Sequence, residues 1–166
     1  AEQCVATSTG MSAILACIMS LCNTGDHIVV SKSIFGTTIK LFENILIKWG
    51  LQVTYVCLTD INQWKNAIQK NTKLFFVETP SNPLTEICDI SALANLAHKS
   101  KSLLVVDNCF CTPAHQLPIQ FGADVIIHSA TKYLDGQGRC LGGAVLGKKK
   151  YMKDVASFLR SAGTSM

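Results

Sequence analysis

Residues 124–138 read DVIIHSATKYLDGQG, and the assignment of the fold turns on them. Asp124 to His128 is a short apolar run with β-branched residues at its centre, the pattern of a buried strand. Ser129, Thr131 and then Lys132 follow at its carboxyl end. A lysine directly after a buried strand is an unusual position for a solvated charge. The two hydroxyls can donate to an anionic oxygen, and the amine becomes a nucleophile once desolvation or a neighbouring cation lowers its proton affinity. One site could then hold an anion and a carbonyl together. Taken alone, the segment equally fits a surface lysine in an ordinary loop, so its meaning depends on what the rest of the chain brings to it.

From the amino terminus, Gln3–Thr7 is a strand candidate running through Ser8, Thr9 and Gly10 into the apolar helix MSAILACIMSLC. Strand, small-residue turn and helix leave free amides and the positive end of a helix dipole beside Gly10 and Met11. A plain Thr-capped turn is the other reading. Strands are expected at His27–Val30, Val53–Leu58, Lys73–Val77, Leu103–Val106, before Lys132, and at Gly142–Leu146. Helices are expected over Phe35–Trp49 with Gly50 as its stop, from Asp60 to about Lys70, over Ile90–Lys99, near Pro113–Phe121, and over Lys150–Ser161. The segment ETPSNP, with prolines at 80 and 83, is a loop. Seven strands alternating with helices, most of them apolar enough to be covered on both faces, predict an α/β layered domain with a mainly parallel sheet.

Ligands of such sheets lie at the carboxyl ends of the strands. Gly10, Glu78, Asn82, Asp107 and Lys132 all fall just after a strand candidate, so distant pieces of chain can converge there. Asp107 carries the most chemistry. A carboxylate at the end of the buried run LLVV needs a cationic or hydrogen-bonding partner, and a protonated pyridine nitrogen would serve. An Asp that caps the next helix is the alternative. Lysine, anion turn and carboxylate together match what pyridoxal phosphate offers: an aldehyde, a phosphate, and a ring whose electron demand the protein can set.

Composition narrows the partners. The 166 residues suffice for one domain; 48% are hydrophobic and 16% charged, and the mean hydropathy is +0.28. Such a surface is short of polar cover, so part of it is expected to meet another subunit or domain. The net charge of +4 has one local concentration, Lys148–Lys150 with Lys153, which lacks aromatic or arginine-rich company and does not imply nucleic acid. No apolar run is long enough to cross a membrane, and the first residues do not read as a secretory signal. The eight cysteines lack paired metal spacing or disulfide-scaffold density, and small buried thiols in a reducing cytoplasm account for them; no metal site is expected.

With STG (8–10), SNP (81–83), VDN (106–108) and SATKYLDGQG (129–138) in this order, the chain resembles the cystathionine γ-synthase-like family of pyridoxal-phosphate enzymes of methionine and cysteine metabolism over its whole length. Within that family, SIFGTT, FVETPSNP, VVDNCFCTP and HSATKYLDGQGRCLGGAVLG look most like the O-succinylhomoserine sulfhydrylase branch. The resemblance implies a three-layer, seven-stranded large domain of the fold type I, aspartate aminotransferase-like class. It implies that Lys132 forms the Schiff base with the cofactor and moves protons, that Asp107 binds the ring nitrogen, and that Asn82 approaches the ring hydroxyl. Gly10 and Met11 by backbone, and Ser129 and Thr131 by hydroxyl, would hold the phosphate. Phe35 stands where the wider family usually has a proton-donating tyrosine; it can stack but not donate.

By the same resemblance, residues 1–166 are expected to be the cofactor domain alone. In relatives an amino-terminal arm sends Tyr and Arg to a neighbouring subunit's phosphate, and a carboxyl-terminal domain supplies the Arg that grips the substrate. The implied reaction is γ-replacement of an O-acylhomoserine by sulfide to give homocysteine, in a cytoplasmic homo-oligomer, a tetramer in relatives. Cystathionine γ-synthase activity, methionine γ-lyase activity, and a non-catalytic cofactor-binding or assembly module are the alternatives.

Overall fold

The computed structural model describes residues 1–166. Its seven strands are β1 (Gln3–Thr7), β2 (His27–Ser31), β3 (Gln52–Val56), β4 (Thr72–Glu78), β5 (Leu103–Asp107), β6 (Val125–Ser129) and β7 (Gly143–Gly147). They form one sheet in the order β1-β7-β6-β5-β4-β2-β3. β7 alone runs against its neighbours β1 and β6, and the five strands from β6 to β3 are parallel.

Side-chain alternation divides the core in two. Along β4, Leu74 and Phe76 join one cluster while Phe75 and Val77 join the other. The first cluster holds Ile14, Cys17 and Ile18 of α1 (Gly10–Leu21), Leu41 of α2 (Gly36–Leu41), and Met152, Val155 and Leu159 of α6 (Lys149–Ala162). The second holds Trp64 of α3 (Ile61–Asn66) and Leu93, Ala94 and Ala97 of α4 (Ile90–Lys99). Helices on both faces exclude water from both sides of the sheet, which is why its strands lack polar alternation. The α/β layered architecture expected from the element order, and the three layers implied by the family resemblance, are observed.

Helix boundaries differ from expectation where other bonds within a few residues intervene. The helix expected over Phe35–Trp49 is α-helical only to Leu41 and then widens into a π turn, Phe42–Leu46, with Ile47 N donating to Phe42 O at 2.8 Å. Gly50 ends it at φ +103°, where a side chain would be strained. α3 stops near Asn66 rather than Lys70, because the Thr72 hydroxyl takes the Gln69 amide at 2.7 Å and turns the chain into β4. The helix expected over Pro113–Phe121 is two short turns, α5 (Thr112–His115) and a 3-10 turn at Pro118–Phe121. Pro118 has no amide to continue the ladder, and Asn108 Nδ2 donates to both Thr112 O and Gln116 O, closing the first turn. No helix is long and apolar enough to cross a membrane.

Candidate active site

The carboxyl ends of β4, β5 and β6 supply one face of the site. Residues 74, 76, 105, 125 and 127 point toward α1, so continued alternation sends Glu78, Asp107 and Ser129 to that same face. The register sets Glu78 beside Asp107, and Asp107 beside Ile127. A slip of one residue would turn every one of these groups away.

The amino end of α1 meets them. Thr9 caps the helix, accepting the Ser12 amide at 3.0 Å, and Ala13 N bonds Thr9 O. The amides of Gly10 and Met11 are left without an acceptor in the chain, at the positive end of the helix dipole. A β-carbon on Gly10 would sit 2.6 Å from Ser129 Cβ and 2.9 Å from its Oγ, so α1 reaches the end of β6 only because residue 10 has no side chain. Gly10→Ala is therefore expected to push the two apart, lowering stability by about 1–3 kcal/mol and weakening anion binding about tenfold or more. Urea denaturation and a phosphate-ester titration measure the two effects; wild-type values in both would remove this role.

These pieces enclose a cavity of about 250 Å³. Gly10, Met11, Phe35, Asn82, Asp107, Ser129, Thr131 and Lys132, all singled out from sequence, line it, together with Glu78. Thr9, Thr38, Cys109 and Phe110 also line it and were not foreseen. Thr9 carried a local signal, its position before a helix start. Thr38 and Phe110 carried none, since only the packing of α2 and of the turn after β5 brings them in.

The loop after β4 is held by Ser81, whose amide and hydroxyl bond Glu86, and Asn82 is left at the cavity wall. Thr131 Oγ1 accepts the Gly142 amide at 3.0 Å, and its proton reaches Gly142 O only at 3.3 Å. The hydroxyl thus clamps the start of β7 while its proton can turn to an anion. The Asp135 carboxylate takes the amides of Gln137 and Arg139, and Gly136 and Gly138 lie at positive φ, so the GQGR segment is a tight turn that carries β7 back beside the lysine. Phe110 and Tyr133 stack loosely, centroids 6.0 Å apart, joining the turns after β5 and β6.

Two features set the electrostatics of the site. Lys132 breaks the helical run at φ −93°, ψ −118° and lines the cavity, yet it is exposed, so these 166 residues do not supply the desolvation anticipated for its amine. Asp107 is buried and has a single side-chain partner, the Cys109 amide at 3.1 Å, instead of a cationic side chain. Burial pushes its carboxyl up to about 7, against the opposing pull of that amide. Glu78 goes up to about 8, by burial first and then by the charge of Asp107, with the Phe35 amide pulling the other way. Burial likewise lifts the Cys109 thiol to about 11, so it is not a thiolate nucleophile at neutral pH. All eight cysteines are free, and no three metal-ligating side chains come together.

The buried Asp107 carboxyl, with no ion-pair partner in the chain, is set for a cationic ligand, and the free amides at the amino end of α1 are set for an anion. A family model described as "Cys/Met metabolism PLP-dependent enzyme" matches residues 1–166. The chain belongs to this family. It is 60% identical over all 166 residues to O-succinylhomoserine sulfhydrylase of Pseudomonas aeruginosa, spanning 41% of that protein. It is 42% identical over 156 residues, 93% of its length, to L-methionine gamma-lyase of Treponema denticola, spanning 39% of it. The solved structure of metB from Corynebacterium glutamicum superposes on 99% of the chain with a TM-score of 0.96 at 36% identity, the match covering 43% of that chain. The chain thus spans about two-fifths of the length of these relatives.

The residues present fit the family's cofactor. Asp107 lacks a cation that a protonated pyridine supplies, the free amides of Gly10 and Met11 with Ser129 suit a phosphate, and Lys132 suits an aldehyde.

Proposed function

We propose that residues 1–166 form the cofactor-binding large domain of a pyridoxal-phosphate enzyme that replaces the γ-substituent of an O-acylhomoserine, O-succinylhomoserine foremost, with sulfide to give homocysteine for methionine biosynthesis. The observation that carries this reading is the 60% identity to the Pseudomonas sulfhydrylase across the whole chain, against 42% to the Treponema lyase. The lyase identity supports γ-elimination as the second reading.

In this reading the cofactor, when bound, supplies an electron sink for a carbanion at the substrate α-carbon. Asp107 holds a proton on the ring nitrogen by its charge. Gly10 and Met11 donate amides, and Ser129 and Thr131 donate hydroxyls, to the phosphate. The Asn82 carboxamide would approach the cofactor's ring hydroxyl, and the Phe35 ring would stack on the cofactor. Lys132 would be the attachment point for the cofactor and would supply the amine that takes the α-proton. Phe35 carries no proton, so acid–base duty at the leaving group falls on Lys132 or on the substrate's own surroundings. The working enzyme is a cytoplasmic homo-oligomer, and the exposed apolar side chains Phe35, Tyr133 and Leu141 are in keeping with self-association.

Product analysis tests the choice. Homocysteine formed from O-succinylhomoserine and sulfide supports replacement; a 2-oxo acid and ammonia formed without sulfide uptake support the lyase. Bound cofactor with neither product would leave a cofactor-binding module.

A further inference from the structure

Glu78 is a buried carboxylate to which the proposed chemistry gives no task. It ends β4, is 4% exposed, and pairs in register with Asp107 at the end of β5. Both line the same cavity, and neither has an ion-pair partner; the ion pair of the chain joins His98 and Asp124, in another region. Glu78 Oε2 accepts the Phe35 amide at 2.6 Å. The other titratable groups lining the cavity with this pair are Cys109 from the turn after β5 and Lys132 from the turn after β6. On the β2–α2 side, Glu86 is engaged by the Ser33 hydroxyl at 2.7 Å.

Two carboxylates so placed do not readily ionise together. Asp107 loses its proton first, near 7, and its charge adds to burial in holding the proton of Glu78 to about 8. Between about pH 7 and 8 the pair then carries roughly one charge, and Glu78, while protonated, still offers an oxygen to the Phe35 amide.

We propose that Glu78 is a positioning residue of the cofactor site, which seats Phe35 at the cavity wall through its backbone amide and leaves Asp107 as the single negative charge for the ring nitrogen. This rests on the pyridoxal-phosphate reading above. Glu78→Gln keeps an acceptor oxygen and removes the ionisable proton; Glu78→Ala removes both.

The test combines hydrogen exchange over residues 33–38 without cofactor with titration of pyridoxal phosphate into wild type and both variants, from about pH 6 to 9.5. Glu78→Ala is expected to speed exchange in that segment and weaken cofactor binding, each about tenfold, while Glu78→Gln stays within about threefold of wild type near pH 7. Above about pH 8 only the wild type gains a second charge, so it should bind more tightly than Glu78→Gln there and equally below. Equal exchange in all three proteins overturns the seating role, whether or not cofactor binds. A Glu78→Gln variant as impaired as Glu78→Ala near pH 7, or wild-type and Gln curves that stay parallel across the range, overturns the charge assignment. A wild-type chain that binds no cofactor at any pH overturns the functional reading and this proposal with it, and is recognised in the wild-type titration alone.

Discussion

Replacing Lys132 with alanine is expected to remove the near-visible absorption that pyridoxal phosphate gives when joined to a protein amine, and to leave borohydride with nothing to fix in the 124–138 peptide. Lys132 is the only lysine lining the cavity, so no second amine can take its place without a change in fold. Turnover, where the full enzyme is assayed, should fall at least about a thousandfold, the scale of losing a covalent nucleophile. The groups proposed to hold the phosphate do not include the amine: the Gly10 and Met11 amides and the Ser129 hydroxyl remain. Non-covalent binding should therefore survive, weakened, and reverse on dialysis. The measurement is a spectrum before and after borohydride, with peptide mapping. A band of wild-type strength in Lys132→Ala would show that the covalent link is made elsewhere.

Asp107→Asn should separate stability from cofactor retention in opposite directions. The carboxyl of Asp107 rises from 3.8 to about 7 on folding. A group whose folded affinity for protons is raised contributes stability that is present below about pH 4 and is lost as pH rises through about 7. Asparagine carries no such charge and still offers an oxygen to the Cys109 amide. The cofactor-free variant should then be more stable than wild type at pH 8.5 by on the order of 2–4 kcal/mol, and its stability should be flatter between about pH 4 and 8. Its removal also relieves Glu78, whose proton is held partly by the Asp107 charge. In the presence of cofactor the order should reverse, because the proposed charge-assisted bond to the ring nitrogen would be gone and affinity should drop roughly 10- to 100-fold. Denaturant melts at several pH values, with and without pyridoxal phosphate, decide the matter. If the variant is no more stable than wild type at pH 8.5, Asp107 is not a strained buried charge.

Local patterns carried much of the site. Thr9 and Gly10 at a strand-to-helix turn, Asp107 after LLVV, and Lys132 after VIIHS are each readable from neighbours a few residues away. Where a side chain bonds to main chain several residues away, that reading was incomplete. The helix expected through Pro113–Phe121 is split by Pro118 and by Asn108, which bonds back across the turn. Thr131 was expected to serve a phosphate, and its oxygen also clamps the Gly142 amide 11 residues on. Cys57, expected among buried thiols, is only half-buried, while Cys17 and Cys22 lie in the core.

The set of strands and the residues at their ends were legible in the sequence, because a period of two and a terminating turn are properties of a few adjacent residues. The family was legible there as well, through motifs that keep their order. The strand order β1-β7-β6-β5-β4-β2-β3, and the register that sets Glu78 beside Asp107, were decided only by the tertiary structure. So were the seating of the Phe35 amide on Glu78 and the exposure of Lys132 at the cavity mouth. The physical reason is common to all four. Each depends on which distant surfaces exclude water together, and burial and long-range hydrogen bonding are properties of the packed chain, not of any stretch within it.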